Sequence, residues 1–132
     1  MAEDPGASAA LDELRASYET LFGFVPEIPA QRFDALRVDA PEFLLLVEQT
    51  RAHAMYSDVF DVKTSQLLAF MSLLTAGHFS AHFHALAARR AGATWQELTK
   101  VVELAYVTGG GLPMLQRANE ILLQLAAGEE QP

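Results

Sequence analysis

The sequence predicts an all-α protein of six or seven helices, and three observations carry that prediction. Apolar residues recur at helical spacing along almost the whole chain. The pattern breaks at glycines and prolines, where helices stop and start. No segment alternates apolar and polar residues in the way a half-buried strand requires.

Taken in order, Ser8 can cap a first helix whose apolar positions are Leu11, Leu14, Tyr18, Leu21 and Phe22, with Gly23 ending it. Each proline disfavours helix in the residue before it, so 24–29 should be extended. A short helix is expected at 29–38, and Pro41 opens a longer one to Met55. Its run from Phe43 to Val47 is apolar on every side, which suits burial in a core or at a subunit interface. An apolar helix follows at 62–75. Another should run from Gly77 to Arg90, closed by Gly92, so that 62–91 forms a central two-helix unit. Thr94-Trp95-Gln96-Glu97 is a capping box that starts the next helix. The segment 109–113 breaks it, and Leu115, Ala118, Leu122 and Leu125 give the last helix an apolar stripe. Residues 1–8 and 128–132 should be frayed. With no internal repeat and no long linker, the 132 residues are expected to form one domain.

Composition narrows the function. Seventeen acidic against nine basic residues give a net charge of −8, which repels phosphate backbones and makes a nucleic-acid partner improbable. No apolar stretch is long enough to span a bilayer, so no membrane partner is expected. The first ten residues lack the basic and apolar regions of a signal peptide, and the expected location is cytoplasmic. The chain has no cysteine. That excludes a disulfide framework, a thiolate metal site and a cysteine nucleophile.

Three of the four histidines lie in Gly77-His78-Phe79-Ser80-Ala81-His82-Phe83-His84. In a helix, His78 and His82 would share a face while His84 would point about 200° away from His82. Gly77, Ser80 or Ala81, His84, Ala88 and Ala91 would form a face of small residues, and Phe79, Phe83 and Leu86 an apolar face for the core. The small face has two readings. It leaves room for a pocket into which His84 projects, with amides around Gly77–Ser80 receiving an anionic oxygen. Or it permits close helix packing around a hydrogen-bonded core histidine. His78 and His82 also have the spacing of helical metal ligands, although no glutamate follows His78; His53, Glu103 or Asp58 would have to supply a third. Arg32, Arg37, Arg51 and Lys63 are available partners for a substrate carboxylate, whereas Trp95 and Tyr106 suit packing.

Several motifs in order carry a resemblance. These are Tyr18-x-x-Leu-Phe-Gly-Phe-Val-Pro26, Ala40-Pro41-Glu42-Phe43-Leu44, His84-Ala85, Gly92-Ala93-Thr94, Glu97-Leu98 and Gly110-x-Leu-Pro113. Together they resemble the carboxymuconolactone decarboxylase and alkylhydroperoxidase D-like family across nearly the whole chain. The resemblance implies the helical fold of that family and a homo-oligomer, a trimer or hexamer. In its peroxidase branch, a Cys-x-x-Cys-x-x-x-His motif works with a glutamate on the preceding helix. With His84 as that histidine, the cysteine positions fall at Gly77 and Ser80 and the glutamate position near Ser65. No thiolate is present to attack a peroxide.

The decarboxylase branch implies a cofactor-free lyase or isomerase acting on a small carboxylated lactone or related oxo-acid. His84 would be the acid–base group, His78 and His82 secondary ones, and Ser80 and Gly77 would bind substrate. Two alternatives stand beside it: metal chemistry at His78 and His82, and a non-catalytic member that binds a ligand or assembles.

Overall fold

A computed structural model describes residues 4–130. The terminal residues 1–3 and 131–132, expected to be frayed, lie outside the described residues. Among the described residues there are seven α-helices, one π turn and no strand. The helices are α1 (Pro5–Phe22), α2 (Glu27–Leu36), α3 (Pro41–Met55), α4 (Val62–Thr75), α5 (Ala81–Arg90), α6 (Trp95–Ala105) and α7 (Gly111–Glu130). The all-α class follows as predicted. The chain forms two compact units, Met1–Val59 and Phe60–Pro132.

In the first unit, α1 starts earlier than Ser8. Asp4 is its N-cap, accepting from the Gly6 amide at 3.1 Å, and Pro5 occupies the first helical position. Ser8 instead accepts from Arg37 Nη2 at 2.9 Å. Gly23 ends α1 in the left-handed region (φ 89°), where an L side chain would be strained. Helix α2 begins at Glu27, so only part of 24–29 stays extended. Pro29 falls in the first turn, where its missing N–H removes no helical bond.

Helix α3 has the predicted limits, but only Leu44 and Glu48 of its apolar segment and the turn beyond are buried. Phe43 and Leu46 are 58% and 64% exposed. Glu48 is completely buried because its oxygens are met. Tyr18 donates its hydroxyl to Glu48 Oε2 at 2.7 Å, and Arg32 Nη1 donates to Glu48 Oε1 at 2.5 Å. The Arg51 guanidinium lies 3.8 Å from the centre of the Tyr18 ring. Burial pushes the Tyr18 hydroxyl up to about 12, with Arg51 opposing the shift and the bond to Glu48 adding to it.

In the second unit, α4 is capped by Asp61, which accepts from the Thr64 amide at 2.7 Å. Its end is a Schellman turn: the His78 amide reaches Leu73 O at 2.9 Å, the Gly77 amide reaches Leu74 O at 3.1 Å, and Gly77 takes φ 68°. This turn delays α5 to Ala81, later than the Gly77 start predicted for it. Thr94 caps α6 as the capping box requires, accepting from the Glu97 amide at 3.0 Å. The break at 109–113 is a π turn, Tyr106–Gly110, from which α7 leaves directly.

Tyr106 is 44% exposed rather than packed, whereas Trp95 does pack against the core. The buried stripe of α7 is Met114, Ala118 and Ile121, with Leu115, Leu122 and Leu125 flanking it. That helix stays regular to Glu130, past the predicted fraying at 128. Arg89 Nε and Nη2 hold the Glu129 carboxylate, each at 2.8 Å. Helix α4 packs on α5, α6 and α7, so the 62–91 pair is central to this unit. No helix among the described residues is long and apolar enough to cross a membrane.

Candidate functional site

Helix α4 places Gln66, Phe70 and Leu74 on one buried face, at intervals of four residues. Facing it, α5 buries Ala81, His84, Ala85 and Ala88. The three alanines are fully inaccessible, and they belong to the same core cluster as Phe70 and Leu74. Small side chains thus let α4 and α5 approach closely. The face expected to enter the core does not. Phe79 sits in the turn and is 54% exposed, while Phe83 and Leu86 are half-buried.

Between the two helices, His84 Nδ1 lies 2.7 Å from Oε1 of Gln66. His84 is 8% exposed and Gln66 completely buried. An amide oxygen only accepts, so Nδ1 carries the hydrogen of this contact. A buried amide offers the ring a fixed dipole without a net charge, and no water competes for the bond. The ring is therefore held in one orientation.

The other histidines are placed differently. His78 lies in the turn before α5, not on the helix. Its Nδ1 meets the Ser80 amide at 3.2 Å and the Ser80 hydroxyl at 2.7 Å. The amide can only donate, so Nδ1 is unprotonated and the hydroxyl donates to it as well. His82 lies on α5, and its Nδ1–H donates to Phe79 O at 3.2 Å. Burial, with help from Arg117, holds His82 below the usual imidazole range, against the opposing bond to Phe79.

Two expectations change as a result. His78 and His82 do not share a helical face, because the helix starts between them. The amides of Gly77, His78, Ser80 and Ala81 are all engaged within the turn, so they are not donors waiting for an anion. Among the described residues, no group of three or more His, Asp or Glu side chains is arranged to hold a metal ion. His53 is exposed on α3 in the other unit.

Of the four cations considered for substrate recognition, three pair with carboxylates, while Arg51 keeps a buried Nη2 without a hydrogen-bond partner. Arg32 pairs with Glu48, Arg37 with Asp12 at 2.8 Å and Lys63 with Glu97 at 3.3 Å. Arg51 covers Tyr18 and donates to the Tyr56 hydroxyl at 3.2 Å.

Gln66 is the residue that sequence reasoning missed. The acid position of the peroxidase branch fell near Ser65, and the side chain that meets His84 is one residue on. Its signal was present: Gln66 lies four and eight residues before Phe70 and Leu74, on the stripe that had to be buried.

The model of the carboxymuconolactone decarboxylase family matches residues 41–124, well over half of the chain. That stretch begins at α3, ends within α7, and contains Gln66 and His84. Comparison with the curated proteins and with the solved structures gives no match.

Proposed function

Because the chain belongs to the carboxymuconolactone decarboxylase family, we propose that it is a cofactor-independent lyase or isomerase that acts on a small carboxylated lactone or related oxo-acid. Proton transfer runs through His84. The observation that supports this most is the 2.7 Å contact between His84 Nδ1 and Gln66 Oε1, which fixes the orientation of the imidazole. In the decarboxylation, the bond from carbon to carboxylate breaks and its electron pair passes into the conjugated carbonyl. Carbon dioxide leaves, and His84, having taken a proton from solvent at Nε2, delivers it to the dienolate carbon and is left neutral. Gln66 is a positioning residue, acting through the ring. His78 and Ser80, joined at 2.7 Å, are a second proton-transfer pair in the turn before α5, where the Ser80 hydroxyl oxygen and the open space beside Gly77, rather than the engaged amides, contribute to substrate binding.

The protein works in the cytoplasm as a homo-oligomer, a trimer or hexamer. The exposed Phe43 and Leu46 of α3 support self-association.

Release of carbon dioxide from a carboxymuconolactone tests the reading. Wild-type protein should turn the lactone over, and His84→Ala should not. Equal turnover by both removes His84 from the mechanism. A second reading, assembly without catalysis, draws on the core packing of Ala81, Ala85 and Ala88, which are buried on the same helix as His84. It predicts instead that His84→Ala lowers thermal stability and that the wild type releases no carbon dioxide.

A further inference from the structure

On the side of α5 away from Gln66, helices α5 and α7 leave a groove of about 330 Å³. Leu86, Ile121 and Leu125 form its apolar walls, and His82, Gln124 and Glu129 supply its polar groups. The arrangement follows from helical spacing. His82 and Leu86 are one turn apart on α5, while Ile121, Gln124, Leu125 and Gly128 run along a single stripe of α7. Gly128 borders open space, since a Cβ there would meet nothing within 4 Å. The volume is at the small end of ligand sites.

We propose that this groove binds a small, uncharged, apolar hydroxyl compound of about the size of a substituted phenol, whose O–H donates to Nε2 of His82. The polar groups decide the class. Nδ1–H of His82 is committed to Phe79 O, so Nε2 presents a lone pair and seeks a donor. Neutral imidazole is favoured at this half-buried position. No lysine or arginine lines the groove, and Arg117, near His82, is turned to Phe79 O at 3.4 Å and to Glu120 at 3.6 Å. A carboxylate would meet no unpaired counter-charge there, because Arg89 and Arg117 are taken by Glu129 and Glu120. A cation fares no better, because the Glu129 carboxylate is already held by two bonds from Arg89. This site stands apart from the role given to His84 and does not depend on it.

Calorimetric titration at pH 7.5 with p-cresol, benzoate and benzylamine, three probes of similar size and different charge, tests the proposal. Saturable p-cresol binding is expected, with benzoate and benzylamine at least tenfold weaker. Loss of one neutral hydrogen bond in His82→Leu should weaken p-cresol about fivefold. The Cβ of Gly128→Phe meets nothing within 4 Å, and its ring, placed at the groove, should abolish binding while the melting temperature is maintained. Three results would overturn the proposal: benzoate or benzylamine binding as tightly as p-cresol, Gly128→Phe binding like the wild type, or no saturation by p-cresol up to about 10 mM.

Discussion

At Gln66, an amide stands where a carboxylate would have pulled the imidazole toward its charged form. The amide fixes the direction of the His84 ring without placing a net charge beside it. Two substitutions separate these effects. Gln66→Leu removes the orienting oxygen, and kcat should fall about tenfold with little change in KM, as expected for a group that aligns an acid–base catalyst. Gln66→Glu keeps an acceptor but adds negative charge, so the pH profile of turnover should move upward; an unmoved profile would show that the contact plays no part in proton transfer.

Elsewhere, Glu48 has no exposure and holds both Tyr18 and Arg32. Glu48→Ala leaves the buried Tyr18 hydroxyl and a half-buried guanidinium without their acceptor. The expected cost is on the order of 3 kcal/mol, read by denaturant unfolding. Single residues were unevenly legible in the sequence. His84 stood out because a histidine among small residues is unusual, whereas Gln66 looked like any polar residue in an amphipathic helix. Its partner lies 18 residues away, and only the packing of α4 on α5 brings the two together.

The elements were legible wherever a backbone constraint is written into one residue. Pro41 set the start of α3, Gly23 the end of α1, and Thr94 the start of α6. The beginning of α5 was not legible. Its apolar and small residues keep helical spacing back to Gly77, but the Schellman turn ending α4 takes 77–80 for itself. Ser80 precedes the first helical residue as a capping residue should, although its hydroxyl goes to His78 and makes no cap bond.

That shift moved Phe79 out to solvent and separated His78 from His82, which removed the basis for pairing them on one helical face. Gly77 at φ 68° is the pivot. Gly77→Ala meets no steric obstacle but adopts a strained backbone, so it should cost about 1 kcal/mol of stability in thermal or denaturant unfolding. An unchanged stability would mean that the turn tolerates another conformation.

At the scale of the molecule, the chain carries its −8 charge on two units with different interiors. The first buries a network of Tyr18, Arg32 and Glu48; the second buries a mostly apolar core with the Gln66–His84 pair at its edge. The first has an alkaline signature. Tyr18 ionises near 10 when unfolded but only at about 12 in place, so the protonated form is favoured by folding. Stability should therefore fall as pH rises through that interval and be unaffected by this group below it. Tyr18→Phe should flatten that part of the curve. The all-α class was legible because helical periodicity runs through most of the chain. The division into two units was not, since no linker composition marks 59–60. Self-association, read by light scattering coupled to size exclusion, should give a trimer or hexamer at micromolar concentration; a monomer would contradict it.

The most direct measurement is steady-state turnover of a carboxymuconolactone by the wild type and by His84→Ala, with melting temperature and assembly recorded for both. Loss of about 100-fold or more in kcat, at unchanged melting temperature and assembly, is the predicted result. Turnover retained without His84, or no turnover by the wild type, would contradict the account.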